Sequence, residues 1–413
     1  MGAPVVLIGV LGLVVAAIVA LLLVWHPWSP GATAGGGGRS GGGGGAPSGG
    51  YMLRLSGSNT IGSVLGPELV KAWLASKGAT DISAEQLNGA DGKPIPEYVI
   101  HATLQGKPVA VDVRAYGSAT AFKDLGSSAA DVGMASRPIK DDEAQSLSSL
   151  GNLRGLGAEN VLALDGIAVV VPQTNAIASL SVAQLCQIFS GAVTDWSQVG
   201  GSAGPIRLYA RDDNSGTFDA FKSIVLSRCG GALGPAKRYD DSAALEADVS
   251  RDTGGIGFIG MPYVKTTRAV PIGDGEAAPL LPTIFTVKTE SYALSRRLFL
   301  YIAAQGGNPL AREFVNFAVS AAAWDTVTKA GFVNLNLAPA TTPASLSSGL
   351  GPCRLSSQWH GDPNEYCALR TSAQQLQTSF HFLTGSSQLD NKAVPDLRQI
   401  LDQMTRAPDK TIV

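Results

Sequence analysis

The chain has little charge, little histidine and little cysteine. Asp, Glu, Lys and Arg make up 15% of its 413 residues, 31 basic against 33 acidic, for a net charge of −2. Nonspecific nucleic-acid binding needs a basic face, and this balance offers none. His26, His101, His360 and His381 are scattered, and no Cys/His spacing suits zinc, so no metal site is expected. There is no P-loop and no G-x-S-x-G nucleophile turn. The loop residues Ser215 and Thr217 have no neighbouring His base, so the chain does not read as an enzyme and implies no cofactor. One nominal dinucleotide fingerprint, Gly255-x-Gly257-x-x-Gly260, lies in an apolar run followed by Pro262 rather than by a helix. It reads instead as a strand, the one returning the chain to a first lobe.

What the chain does have is apolar residues, 45% of the total, and 50 glycines. Val5–Val24 carries no charge, and about 20 such residues span a bilayer's hydrocarbon core. Trp25 and Trp28 follow, at the interface where Trp is favoured. Residues 1–28 therefore read as a transmembrane anchor, or as a long signal if Ala32-Thr33-Ala34 is a cleavage site. Residues 29–50 form a tether that ends in GGGGRSGGGGGAPSGG, a flexible coil. Four cysteines allow three pairings, or four free thiols. In an exported chain disulfides persist, and bonds kept within one region are expected, Cys186–Cys229 and Cys353–Cys367.

From Tyr51 to about Leu337 short strands (Leu53–Leu55, Val109–Val113, Ile167–Val171, Ile206–Tyr209) alternate with amphipathic helices (Gly66–Ser76, Thr120–Leu125, Val182–Ile188, Thr217–Leu226). The alternation predicts an α/β fold with mostly parallel sheets, and its length predicts two lobes. Three strand-to-helix turns share a design: SGSNTIG (Ser56–Gly62), YGSATAF (Tyr116–Phe122) and ARDDNSGTFDAF (Ala210–Phe221). Each puts hydroxyls and glycine at a helix start. Any one is an ordinary cap, but three around one cavity would offer unpaired N–H groups, partial positive charge and O–H donors to an oxyanion. Arg211 adds a fork that matches such an anion.

These motifs resemble the periplasmic phosphate-binding proteins of ABC importers, over about residues 51–337. The matching stretches include DVGMASRPI (Asp131–Ile139), LSVAQLCQIFSGAVTDWSQVGG (Leu180–Gly201), GGIGFIG (Gly254–Gly260) and SYALSRRLFLYI (Ser291–Ile302). The resemblance implies a two-lobed type II binding-protein fold that closes on phosphate about a hinge. It places lobe I at 51–171 and 257–337 and lobe II at 172–256. As ligands it implies Thr60 and the amide of Ile61, then Ser118, then Arg211, Ser215, Gly216 and Thr217, with Asp213 orienting Arg211. In well-known members an aspartate in the MASRP segment accepts the proton of hydrogen phosphate. Here Ser136 holds that position and Arg137 follows. Some members carry Ser-Arg there, so both residues join the expected anion site, while Arg137 is equally readable as a lobe-surface ion pair. The implied partners are a phosphate ion and membrane permease subunits, on the periplasmic side of a bacterial inner membrane.

Residues 338–372 are rich in Ala, Thr, Pro and Ser, a linker composition. Residues 373–413 then resemble the opening strand (Ser379–Phe382) and helix (Asn391–Met404) of OmpA-like peptidoglycan-binding domains, an incomplete α+β unit. That likeness implies a peptidoglycan partner and motivates an alternative reading, a cell-envelope sensor or scaffold.

Overall fold

The computed structural model describes residues 50–213, 215–337, 376–382 and 386–406. The apolar segment Val5–Val24, the tether before residue 50 and the expected Cys353–Cys367 bond lie outside them. Among the described residues no helix is long and apolar enough to cross a membrane.

The strands are β1 (Leu53–Gly57), β2 (Thr80–Asn88), β3 (Pro94–Leu104), β4 (Lys107–Arg114), β5 (Val132–Ala135), β6 (Glu159–Val171), β7 (Leu180–Ser181), β8 (Arg207–Arg211), β9 (Ala236–Tyr239), β10 (Gly255–Gly260), β11 (Arg268–Ala269), β12 (Ile272–Gly273) and β13 (Ser295–Tyr301). All but β7 and β12 join one continuous sheet in the order β2-β3-β4-β1-β5-β13-β6-β10-β8-β9, with β11 also on β6. β6 is the shared member. Its first part, Glu159–Gly166, pairs antiparallel with β13, and its last part, Ile167–Val170, pairs antiparallel with β10. The two lobes are the two halves of this sheet with their helices, and β6 is a seam common to both.

Within each lobe the centre is parallel, β1 with β4 and β5, and β8 with β9 and β10. Antiparallel pairing of β2 with β3 and of β3 with β4 makes the whole mixed rather than mostly parallel. β10 lies in the second lobe's half of the sheet, so the chain returns to the first lobe at β13, not at the glycine-rich strand. Local pattern identified a strand there but carries no record of its neighbours.

The helices cover both halves. Gly66–Ser76 carries Pro67 in its first turn, where proline is suited, and buries Trp73 edge-on against Phe314 at 5.5 Å. In the second lobe Phe221 of the helix Gly216–Ile224 stacks on Phe258 of β10, centroids 4.0 Å apart. The helix Val182–Phe189 begins with a capping box on Ser181 and Gln184 and is tied to the short helical turn Leu226–Cys229 by the Cys186–Cys229 disulfide.

The C-terminal residues are seated on this body. The helix Ala393–Arg406 forms, but the expected strand before it is reduced to a single bridge between Phe382 and Leu389. Asp390 pairs with Arg297 of β13 at 2.7 Å, the Gln399 side chain spans Leu335 O and Leu337 N, and Lys392 and Asp396 form a buried pair at 2.8 Å.

The disulfide closes 43 residues of chain, which the loop-entropy relation values at about 4 kcal/mol. Cys186→Ala with Cys229→Ala is expected to lower unfolding stability by about 2–4 kcal/mol, read as a drop in the urea midpoint. An unchanged midpoint would show that the bond carries no stability.

Candidate functional site

The site lies where the seam of the sheet meets the three hydroxyl-bearing turns. β1 ends at Gly57 with φ 140°, and a Cβ there would lie 2.0 Å from the Met134 carbonyl of β5. Only glycine lets the two strands run this close. The consequence is a fixed turn: Ser58 N–H donates to Met134 O at 2.8 Å, and Gly117 N–H donates to Gly57 O at 2.8 Å, which locks the second turn to the first. Ser118 and Ser136 are both buried, their hydroxyls 3.1 Å apart, and Ser136 N–H donates to Ser118 Oγ at 3.0 Å.

The third turn arrives from the other lobe. Ser215 caps the helix Gly216–Ile224, its hydroxyl accepting from Thr217 N–H and Phe218 N–H. The Cα face of Gly216 is pressed onto the first lobe. A Cβ built there would stand 2.5 Å from Thr60 Oγ1, 3.0 Å from Ser136 Oγ and 3.1 Å from Ser58 Oγ. Hydroxyls of one lobe and a helix N-terminus of the other therefore converge on one point. Ile61, whose amide is the expected ligand, begins the helical turn that follows Thr60 and is fully buried.

Two residues that the sequence reading did not single out complete the site. Arg296 of β13 and Asp165 of β6 are register partners across the seam, exposed by only 6% and 2%. Arg296 Nε and Nη2 both donate to Asp165 Oδ2, at 2.9 and 2.6 Å. The same guanidinium donates to Gly216 O, to Thr217 Oγ1 at 3.2 Å and to Thr60 Oγ1 at 3.3 Å, so it touches both lobes. A threonine hydroxyl that accepts from arginine keeps its own proton to donate elsewhere. Arg296 thus turns Thr60 and Thr217 into donors facing the cleft. A signal for the pair existed: Asp165 is a lone carboxylate in the otherwise apolar run of β6 after Val161, and a buried charge needs a partner. The sequence does not say which of Arg296 and Arg297 that partner is. Strand alternation sends them to opposite faces, and Arg297 pairs with Glu290 and Asp390.

The expected arginines divide. Arg211, at the end of β8, lines a cavity of about 180 Å³ together with Thr60, Asp165, Ser215, Thr217 and Arg296. Its Nη1 donates to Ser242 Oγ at 2.6 Å and its Nη2 to Asp240 O at 2.7 Å. Burial draws its pKa below the ordinary guanidinium value, against the opposing pull of Asp212. Arg137 is not among the residues that line that cavity. It makes a two-pronged pair with Glu143 at 2.8 and 2.7 Å and reaches Asp219 of the opposite lobe at 3.5 Å. Burial alone would lower its pKa, but the Glu143 hydrogen bonds outweigh that and raise it. Its guanidinium thus makes an ion pair within its own lobe and a contact to the facing one. Asp213 does not orient Arg211 directly. It pairs with Arg238 at 2.8 Å, and Arg238 donates to Arg211 O while lying over the Phe218 ring. Arg238 lies on β9, 25 residues further along the chain, so sequence spacing does not reveal it as the partner of Asp213.

Comparison with known proteins places the chain. Residues 95–322 match the PBP superfamily domain, and the chain belongs to that family. Among its relatives, the protein SphX of Synechococcus elongatus is 32% identical over 245 residues, which cover 55% of this chain and 72% of SphX. The phosphate-binding protein PstS of Staphylococcus haemolyticus is 31% identical over 212 residues, covering 49% of this chain and 65% of PstS. The crystal structure of an ABC-type phosphate transport receptor from Vibrio cholerae superposes with a TM-score of 0.52 at 23% identity, covering 68% of this chain and 99% of that one, a likeness of fold.

The Gly216 contact is testable. Gly216→Ala adds a methyl within 2.5 Å of Thr60 Oγ1 on the facing lobe. Each lobe is expected to stay folded while the lobes are held apart, so small-angle X-ray scattering in phosphate buffer should give a larger radius of gyration than wild type. An equal radius would show that the lobes do not close on this glycine.

Proposed function

We propose that the chain is the solute receptor of a phosphate ABC importer and takes inorganic phosphate between its two lobes. One observation carries this reading: the hydroxyls of Ser58, Thr60 and Ser136 meet the N-terminus of the Gly216–Ile224 helix across the cleft, beside a buried arginine. A tetrahedral oxyanion needs many donors pointing inward from different directions, and three helix starts with the Arg211 guanidinium are suited to supply them. The relatives' names, phosphate-binding protein and phosphate transport receptor, support the same solute.

The ligand set in this reading is Thr60, the Ile61 amide, Ser118, Ser136, Arg211, Ser215, Gly216 and Thr217, with Arg137 as a clasp between lobes rather than a ligand. Binding and release require no chemical step, so the receptor is not an enzyme. Residues 1–28 are proposed as its anchor or signal, 29–50 as a tether on the periplasmic side of the inner membrane, and 338–372 as a linker. The tether keeps the receptor near its permease and raises the local concentration there.

A second reading draws on the seated C-terminal helix. If residues 373–413 begin an OmpA-like wall-binding unit with peptidoglycan as its partner, the protein is an envelope sensor or scaffold. Deletion of the gene separates the two: loss of phosphate uptake favours the receptor, and loss of wall integrity with uptake intact favours the scaffold.

Calorimetric titration of the purified full chain with phosphate is expected to show one tight site. Arg211→Ala is expected to weaken that site by about 2–5 kcal/mol, the range for removing one member of a desolvated charge pair. Full affinity in that variant would remove Arg211 from the site.

A further inference from the structure

The chain passes between the lobes twice. It leaves the first lobe on β6 and returns on residues 281–294, which run from β12, paired with β7, to β13. The return passage lies against β6 at the point where the sheet changes lobe. Tyr292 Oη donates to Ile167 O at 2.8 Å, and Ile167 N–H donates to Leu294 O at 3.1 Å. Within the passage Glu290 holds φ at 53°, the left-handed region that residues other than glycine seldom occupy. Asp81, Gln105 and Ser128 share that backbone form but are exposed, whereas the Glu290 side chain is only 12% exposed. A residue in such a conformation is held there by its surroundings.

The C-terminal segment, residues 376–382 and 386–406, supplies part of those surroundings. The Glu290 carboxylate takes the two-pronged Arg297 guanidinium, and His381 Nε2 and Lys392 Nζ lie 3.2 and 3.9 Å from its Oε2. The Ser379 hydroxyl donates to Thr289 O. Asp390 pairs with Arg297 and also caps the C-terminal helix, its Oδ1 accepting from Lys392 N–H at 3.0 Å and Ala393 N–H at 2.9 Å. Asn391 donates to Glu159 Oε1 at the start of β6 at 3.0 Å, and Gln399 and Gln403 hold the backbone of Leu335 and Leu337. The segment therefore ties the end of the return passage to the first lobe.

We propose that this segment is a brace on the return passage, and that its seating favours the closed arrangement of the lobes. Hinge motion is absorbed by φ/ψ changes at a few residues between lobes. Glu290 is such a position, already held away from its ordinary conformation, and the segment contributes two of the cationic side chains around its carboxylate. The brace grips Arg297 on one face of β13, while Arg296, on the other face, contacts Thr60, Thr217 and Gly216 across the closed cleft. Release of the segment frees Glu290 to relax and loosens the passage where it enters that strand. Coupling of this kind is reciprocal: whatever favours closure strengthens the seating by the same factor. On the phosphate reading given above, bound phosphate is one such influence.

The test is amide hydrogen exchange of the full chain, with and without inorganic phosphate. Asp390→Lys repels Arg297 and removes the helix cap. Gln399→Glu/Gln403→Glu sets carboxylates against the Leu335 and Leu337 carbonyls and leaves Arg297 untouched. Both variants are expected to exchange faster in Ala393–Arg406. Without phosphate they should also exchange about fivefold faster at Ser58–Gly62 and Ser215–Asp219, the segments that face each other across the cleft, which is the lower end of ordinary coupling. In wild type, saturating phosphate should slow exchange in Ala393–Arg406 by a similar factor. A variant whose C-terminal helix is released while both cleft segments keep the wild-type rate overturns the inference. So does a C-terminal helix that phosphate, shown by calorimetry to be bound, leaves unchanged. Wild type that binds no phosphate overturns the phosphate reading instead, and the phosphate-free comparison of the cleft segments then decides for or against the brace.

Discussion

The interaction on which the site depends is the buried pair between Arg296 and Asp165. It sits on adjacent strands, β13 and β6, at the point where β6 leaves the first lobe's part of the sheet and enters the second's. A pair this deep costs desolvation on both sides, and removing one partner typically costs about 3–5 kcal/mol. Apolar residues of the same size would hold the seam as well or better. What they would not do is contact Thr60, Thr217 and the Gly216 carbonyl at once. The guanidinium spends its donors on both lobes, so the closed arrangement of the cleft and the direction of its hydroxyls are set by one side chain.

Around that pair the chain uses backbone more than side-chain charge. The turns after β1 and β4 are locked to each other by main-chain bonds, and the third turn brings a helix N-terminus to them through a glycine. Such groups are fixed before a ligand arrives, so little ordering is needed on binding. The charged residues at the margin act differently. Arg137, paired with Glu143 in its own lobe and 3.5 Å from Asp219 in the other, rewards closure without touching the cavity.

Much of this was legible in the sequence, and the limits are instructive. The three turns stand out because a helix start needs caps, and caps, glycines and hydroxyls occur in contiguous stretches. The strands and helices bounding them follow from period and punctuation, and Cys186–Cys229 follows from keeping a bond within one region. The partners of individual charges were not legible. Asp213 and Arg296 take partners that the fold brings from farther along the chain, 25 and 131 residues away, and Arg137, though paired with nearby Glu143, also reaches Asp219 of the other lobe. The place of β10 failed for the same reason, since a glycine-rich apolar strand looks alike in either half of a sheet. The seating of the C-terminal helix on the body depends on Arg297, Leu335 and Leu337, residues that nothing local connects to it.

The most direct test of the central claim is a crystal structure of the protein grown with phosphate. The account predicts one tetrahedral ion between the lobes, within hydrogen-bond distance of Thr60, Ser118 and Thr217. A phosphate bound elsewhere, with the Gly216 face still closed on Thr60 and Ser136, would contradict it.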